Sequence, residues 1–173
     1  MFKEDLKQIS VFVFDMDGVF SRHEMNITPR GELIRTACAR DGYAVMYCLR
    51  KGYKVCVISG GSAPGTRERF ERLGVEDVYL DVEDKVVALN DYIARRDVKL
   101  AEIMYMGDDI PDYNAMKMVA LPVCPSDACE EIKEISRYIS DAPGGSGCAR
   151  DVIAQVLKAR GDWMDTSCHV KAR

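Results

Sequence analysis

The amino-acid sequence predicts an α/β fold built on a doubly wound, Rossmann-like parallel sheet, and three observations carry that expectation. Apolar runs at Val11–Phe14, Val55–Ile58 and Ile103–Met106 are rich in β-branched, aromatic or other apolar side chains and do not alternate with polar ones. Strands covered on both faces read this way, as they do in the middle of a parallel sheet. Segments of helical spacing separate the runs, which implies right-handed crossovers with helices on both faces of the sheet. Each run also stops at a small polar loop, and ligands of open α/β sheets gather beyond the carboxyl ends of the strands.

In chain order, Met1 to Asp5 is expected to lead straight into the first strand, which ends at Asp15-Met16-Asp17-Gly18. The stretch from Phe20 to Arg40 contains two short mixed runs around Pro29-Arg30-Gly31 and predicts a β-hairpin excursion. A helix follows, with Asp41 as N-cap and Gly52 as stop. The second strand, Lys54–Ile58, gives way to Ser59-Gly60-Gly61-Ser62. A helix then begins at Pro64, where a first turn tolerates proline, and closes at Gly74. Next come a short strand at Val78–Leu80, a helix over about 85–95 and the strand Ile103–Met106, which ends in Gly107-Asp108-Asp109-Ile110-Pro111-Asp112. A helix from Pro111, a strand at Ala120–Val123, a helix near 129–135, the loop Pro143-Gly144-Gly145-Ser146-Gly147 and a helix over about 149–160 complete the chain. No repeat or linker divides it, so residues 1–173 read as one domain with a flap at about 20–40 and a tail at about 161–173. Trp163 is the tail's one aromatic, and the tail is expected to be loosely ordered or engaged with a partner.

Bulk properties exclude several classes. With 47% hydrophobic and 30% charged residues the chain is an ordinary globular one, and at this length a domain buries roughly 70% of its unfolded surface without needing staples. A net charge of −4 with no Lys/Arg-rich run gives no electrostatic footprint for nucleic acid. No apolar run approaches the ~18 residues of a membrane span and no signal-peptide core is visible, so a cytoplasmic protein with no membrane partner is expected. The seven cysteines are odd in number and none forms a C-x-x-C pair; with only His23 and His169 besides, reduced thiols are expected rather than disulfides or a zinc site.

Three strand tips carry polar groups: Asp15 and Asp17, then Ser59, then Asp108, Asp109 and Asp112. Taken alone, Asp-Met-Asp-Gly also fits an ordinary turn. In a parallel sheet, however, the tips converge on one edge, and like charges about 4 Å apart cost up to ~4 kcal/mol at an effective dielectric near 20. Something positive belongs among them. An all-oxygen site suits Mg²⁺, and Lys85, at a helix N-terminus where the macrodipole disfavours a cation, is best explained by an anion it holds. An acidic nucleophile, a helper acid, a hydroxyl on a glycine loop, a lysine and magnesium together suit phosphoryl transfer. In that reading Asp15 attacks phosphorus to form an aspartyl-phosphate and Asp17 protonates the leaving alkoxide, later taking a proton from the hydrolytic water. Ser59 with nearby backbone N–H groups holds phosphoryl oxygens, and Lys85 neutralises charge.

These four motifs, Asp15-Met16-Asp17-Gly18-Val19, Ser59-Gly60, Lys85 and Gly107-Asp108-Asp109 with Asp112, resemble in order those of the haloacid dehalogenase superfamily of phosphatases. The resemblance implies that the Asp15 side chain, the Asp17 backbone carbonyl and Asp108 hold the metal, with Asp109 and Asp112 behind them. No room remains between the motifs for an inserted cap domain, so the chain reads as a capless member with a β-hairpin flap after strand 1. Within that group it is similar to the 3-deoxy-D-manno-octulosonate 8-phosphate (KDO 8-phosphate) phosphatases over about residues 10–160. The likeness rests on Arg40-Asp41-Gly42-Tyr43, Arg69 followed by Leu73-Gly74, Gly107–Ile110, and Gly144–Gly147 with Arg150-Asp151. It implies a homotetramer assembled through the flaps, a glycine-rich segment reaching a neighbour's site, and a role in lipopolysaccharide precursor synthesis.

The chain departs from that family at Gly60-Gly61, where the family commonly has Gly-Arg, and at Arg150-Asp151, where it has Arg-Glu. Gly60, Arg67, Arg69, Gly145 and Ser146 are the candidate substrate contacts, against the plainer readings of solvated helix arginines and an ordinary glycine turn. His23 is expected on the surface or at an interface. Competing functions are a phosphatase for a nine-carbon keto-sugar acid 9-phosphate, a non-catalytic tetramerisation module and a phosphotransfer receiver domain.

Overall fold

A computed structural model describes residues 2–164. Its elements are α1 (Phe2–Gln8), β1 (Val11–Phe14), a hairpin of β2 (Asn26–Ile27) and β3 (Leu33–Ile34), α2 (Ala39–Arg50), β4 (Lys54–Ile58), α3 (Pro64–Arg72) and β5 (Asp77–Tyr79). They continue with α4 (Lys85–Arg96), β6 (Ile103–Met106), α5 (Tyr113–Met118), β7 (Leu121–Cys124), α6 (Glu130–Ile135), β8 (Tyr138–Ile139) and α7 (Cys148–Arg160). Six strands form one parallel sheet in the order β5-β4-β1-β6-β7-β8, and the hairpin stands apart as a two-stranded antiparallel flap. This is the α/β, doubly wound architecture the sequence predicts.

Because β1 is central, its side chains go to two cores. Phe12 and Phe14 enter one with buried residues of α1, α2, α3 and α7; Val11 and Val13 enter the other with α4, α5 and α6. All four are buried, and each contributes roughly 1.5–3 kcal/mol of hydrophobic stabilisation. Phe20 extends the first core toward the flap, with its ring 5.0 Å from Phe14 and 4.9 Å from Phe70 of α3. The root of the flap is thereby fixed against the sheet. After β1 the chain builds β4 and β5 on one side, and α4 carries it back to β6 on the other, so the strand order reverses beside β1. Ligands of such sheets bind at that reversal.

Four expectations need correction. The chain does not run directly into β1: α1 precedes it, with buried Leu6 in the core and its last carbonyls met by Arg160, whose Nη1 donates to Lys7 O (3.3 Å) and Ile9 O (2.9 Å). Only docking against α7 rewards so charged a helix, and local pattern could not show it. The two-residue β8 likewise exists by pairing with β7, and Tyr138 hydroxyl donates to Asp151 Oδ2 at 2.8 Å. Asp41 is not an N-cap, because α2 starts at Ala39; its side chain turns inward and Oδ1 accepts the Arg150 N–H at 2.7 Å, serving the first turn of α7. The first residues of the tail fold back on α2: Tyr47 hydroxyl donates to Asp162 O, Tyr53 hydroxyl to Asp162 Oδ2 at 2.6 Å, and the Trp163 ring lies 5.3 Å from Tyr47. Residues 165–173, with Cys168, His169 and the rest of the expected tail, lie outside the described residues.

Candidate active site

β1 ends at Phe14 and Asp15 N–H still donates to Met106 O at 3.0 Å, so the first acid sits where sheet pairing stops. The turn that follows is tight. Phe20 and Ser21 N–H both donate to Met16 O, and Gly18 adopts φ +84°. A side chain at Gly18 would run into the Asp108 carboxylate, so the glycine is what lets the β1 and β6 loops close on each other. From β4, Ser59 is buried and its Oγ accepts the Gly61 N–H at 3.2 Å. Lys85 opens α4 behind Asp84, whose carboxylate caps the helix by accepting from Val86 and Val87 N–H.

Asp15, Asp17, His23, Ser59, Gly60, Gly61, Lys85, Asp108, Asp109, Pro111 and Asp112 line one cavity of about 270 Å³. Its centre is an ion network. Lys85 Nζ lies 2.8 Å from Asp15 Oδ1 and 2.7 Å from Asp112 Oδ1, with all three side chains nearly buried. Asp112 Oδ1 also accepts the Tyr105 hydroxyl at 2.9 Å, and its Oδ2 accepts the Asp108 N–H at 3.4 Å. Asp112 is therefore occupied with protein donors. Burial first, and then repulsion from Asp112, push the Asp15 carboxyl well above its ordinary range, with Lys85 opposing. The same two causes bring Asp108 to about 7. Burial works to discharge Lys85, but Asp15 and Asp112 outweigh it and its pKa rises.

Asp15, Asp108 and Asp112 each turn an oxygen to within 4.8 Å of the others, and Asp108 Oδ1 is fully buried with no hydrogen-bond partner. A buried acceptor without a donor costs about 1–3 kcal/mol or more, and an oxygen-coordinated divalent cation removes that cost. The donor set therefore fits Mg²⁺, which Asp15 and Asp108 would hold, with Asp112 turned to Lys85.

Eight of the expected residues meet in this cavity: Asp15, Asp17, Ser59, Gly60, Lys85, Asp108, Asp109 and Asp112. Four do not. Arg67 is exposed on α3, and Arg69 lines an adjoining cavity of about 700 Å³ between the flap and α3, together with Arg35, Thr36, Ser62 and Thr66. Gly145 packs behind the site with Gly144, while Ser146 is exposed: Gly145 N–H donates to Val19 O at 2.8 Å, and a side chain on Gly144 would strike the Gly18 carbonyl. Their segment buttresses the turn that carries Asp17. Two residues were not read as part of the site. His23 is exposed, as expected, yet it lies over the site, with Nδ1 3.3 Å from Asp108 Oδ2 and Nε2 3.4 Å from Asp127 Oδ2. Arg35 of the flap grips Asp17 through Nε–Oδ1 (2.6 Å) and Nη2–Oδ2 (2.9 Å). Neither residue belongs to a strand tip, and a flap's fold-back has no local signature.

The haloacid dehalogenase-like hydrolases match this chain over residues 77–150. The solved structure of a Vibrio cholerae protein described as a candidate KDO 8-phosphate phosphatase is 31% identical, covers 94% of this chain and 91% of its own, and superposes with a TM-score of 0.90. The chain belongs to the haloacid dehalogenase-like hydrolases. Among other relatives in this family, the KDO 8-phosphate phosphatase KdsC of Escherichia coli K12 is 28% identical over 90% of this chain and 82% of its own length. The KDO 8-phosphate phosphatase of Moraxella catarrhalis, solved with magnesium, phosphate and KDO, is 26% identical over 93% of this chain and 92% of that one, with a TM-score of 0.89. Among the described residues no helix is long and apolar enough to cross a membrane.

Proposed function

We propose that this protein is a Mg²⁺-dependent phosphatase that hydrolyses KDO 8-phosphate to the free sugar acid and phosphate, in lipopolysaccharide precursor synthesis. The observation that carries this reading is Lys85 held between Asp15 and Asp112 beside the unpartnered oxygen of Asp108. A phosphoryl group entering that cavity finds a nucleophile, an ammonium group and a cation site within one cluster.

Each residue's task follows from its surroundings. Asp15 attacks phosphorus and becomes an aspartyl-phosphate, with Lys85 offsetting the charge that accumulates between the two. The Asp15 and Asp108 carboxylates and the Asp17 carbonyl would hold Mg²⁺, which when bound would supply the positive charge that keeps these buried acids ionised beside a phosphate. Ser59 and the Gly60 N–H hold phosphoryl oxygens, while the Gly61 N–H is given to Ser59 Oγ. Asp17 protonates the departing alkoxide and then deprotonates the water that hydrolyses the intermediate. Beyond the phosphate, the sugar acid extends into the adjoining cavity between flap and α3, where Arg69 meets its carboxylate.

The flap presents Ile27, Leu33 and Ile34 to solvent, 72%, 48% and 52% exposed, and we assign them to a homotetramer interface. The six described cysteines are free thiols, which suits the reducing cytoplasm. Phosphate release from KDO 8-phosphate and from a nine-carbon keto-sugar acid 9-phosphate, each with Mg²⁺ and with EDTA, tests the reading. A higher kcat/KM on the eight-carbon substrate is expected. Preference for the nine-carbon ester replaces the substrate, and absence of magnesium-dependent release from both removes the activity.

A further inference from the structure

The geometry points to Arg35 as a positioning residue for the acid–base carboxylate Asp17, with Gly61 left bare to make room for it. The inference rests on the phosphatase reading above and adds a flap residue to its machinery.

Arg35 follows β3, outside both cores, yet its side chain is only 10% exposed because it reaches back across the cavity rim to Asp17. The contact is a two-point one, Nε to Oδ1 at 2.6 Å and Nη2 to Oδ2 at 2.9 Å. A planar guanidinium fork held this way fixes the plane of the carboxylate, where one hydrogen bond would leave it free to rotate. Ser21 Oγ adds a second donor to Oδ1 at 3.0 Å. Oδ1 is thus taken twice and Oδ2 once, so Oδ2 keeps the capacity to work. That oxygen faces the loop after Ser59, 3.3 Å from where a Gly61 side chain would begin.

Gly61 completes the arrangement. A Cβ there would lie 2.6 Å from Arg35 Nη2, so any larger residue displaces the guanidinium. The flap is tied down a second time nearby, where Thr36 Oγ1 accepts the Arg22 N–H at 3.1 Å. The hairpin root, the turn after β1 and the loop after β4 therefore meet at one ion pair. In the first chemical step the Asp15–phosphorus bond forms and the ester P–O bond breaks. The proton on Asp17 Oδ2 goes to the departing alkoxide, and Arg35 aims that oxygen.

Leaving-group dependence distinguishes aiming from mere support. An alkoxide needs the proton, whereas nitrophenolate leaves without it, and kcat/KM reports the step in which it leaves. Arg35→Ala is expected to lower kcat/KM by about 10–100-fold both for KDO 8-phosphate and for a simple alkyl phosphate with no sugar to reach the cavity that Arg35 lines, part of the 10²–10⁴ that general acids contribute, while p-nitrophenyl phosphate stays within about threefold. Arg35→Lys, which keeps charge but loses the fork, falls between. Gly61→Ala shows the same selective loss, and the double variant is no worse than the weaker single one, because both remove one contact. Melting temperatures verify folding, and Gly61→Ala carries the test should Arg35→Ala unfold. Equal losses on alkyl and nitrophenyl esters, a loss confined to KDO 8-phosphate, or losses that multiply in the double variant, overturn the inference while leaving a phosphatase. A wild type inactive on every ester overturns both.

Discussion

Removing the metal and changing the pH should act on the buried acids Asp15 and Asp108, both raised by burial and by Asp112, and Asp108 shows the direction. Burial and the neighbouring Asp112 raise its carboxyl from 3.8 to about 7 in the metal-free protein. The sign is that of an acid raised by folding. Below about pH 4 Asp108 is protonated in both states and costs nothing; between 4 and 7 the folded state keeps a proton the unfolded chain has lost, so stability falls as pH rises. Three units at 1.36 kcal/mol each make the full penalty of order 4 kcal/mol above pH 7, and roughly 10 °C in melting temperature for a domain this size. Cation binding recovers it, since the ion pairs with the carboxylate and fills the vacancy at Oδ1.

Two measurements follow. The melting shift caused by Mg²⁺ over EDTA should grow from about pH 5.5, where about 3% of Asp108 is ionised, to about pH 8, where nearly all is. Calorimetric titration with Mg²⁺ in buffers of different ionisation enthalpy should show protons released at about pH 6, close to one of them from Asp108, and fewer at about pH 8. Asp15, Asp112, Lys85 and His23 also face Asp108. His23→Gln removes the imidazole, and proton release should survive it. A shift independent of pH, or proton release that vanishes in His23→Gln, refutes the assignment to these carboxylates.

Other outcomes are as direct. Asp15→Asn should lower turnover by more than about 10³ yet leave the metal-free protein as stable as wild type or more so, because it removes an acid that burial opposes, as paired activity and melting assays would show. Lys85→Met should lose turnover similarly but also lose about 3–5 kcal/mol in urea unfolding with EDTA, because Asp15 and Asp112 are left buried without their cation. Ile34→Asp on the exposed flap strand should reduce a tetramer to smaller species in light scattering while the melting temperature of the sheet holds.

Legibility in the sequence followed the range of the forces involved. Val11–Phe14, Val55–Ile58 and Ile103–Met106 were readable because a strand buried on both faces has no polar residue to interrupt it, and their tips named Asp15, Ser59 and Asp108. Lys85 was readable because a lysine at a helix N-terminus works against the helix dipole. What stayed hidden was bought by distant partners. Asp41 looks like a cap for the helix it opens, but its carboxylate serves α7, more than a hundred residues on, which itself leans on α2. The glycines near 145 look like a substrate clamp, yet their bareness is explained by the Gly18 and Ser21 backbone pressed against them. Arg35 and Gly61 follow the same logic. A missing side chain in one loop and a long one in another make sense only as a pair, and the sequence separates them by a helix and a strand. In this fold the acids, hydroxyl and lysine that line the cavity sit at strand ends and a helix start where pattern exposes them; the residues that touch them from outside come from loops whose meeting only the assembled sheet determines.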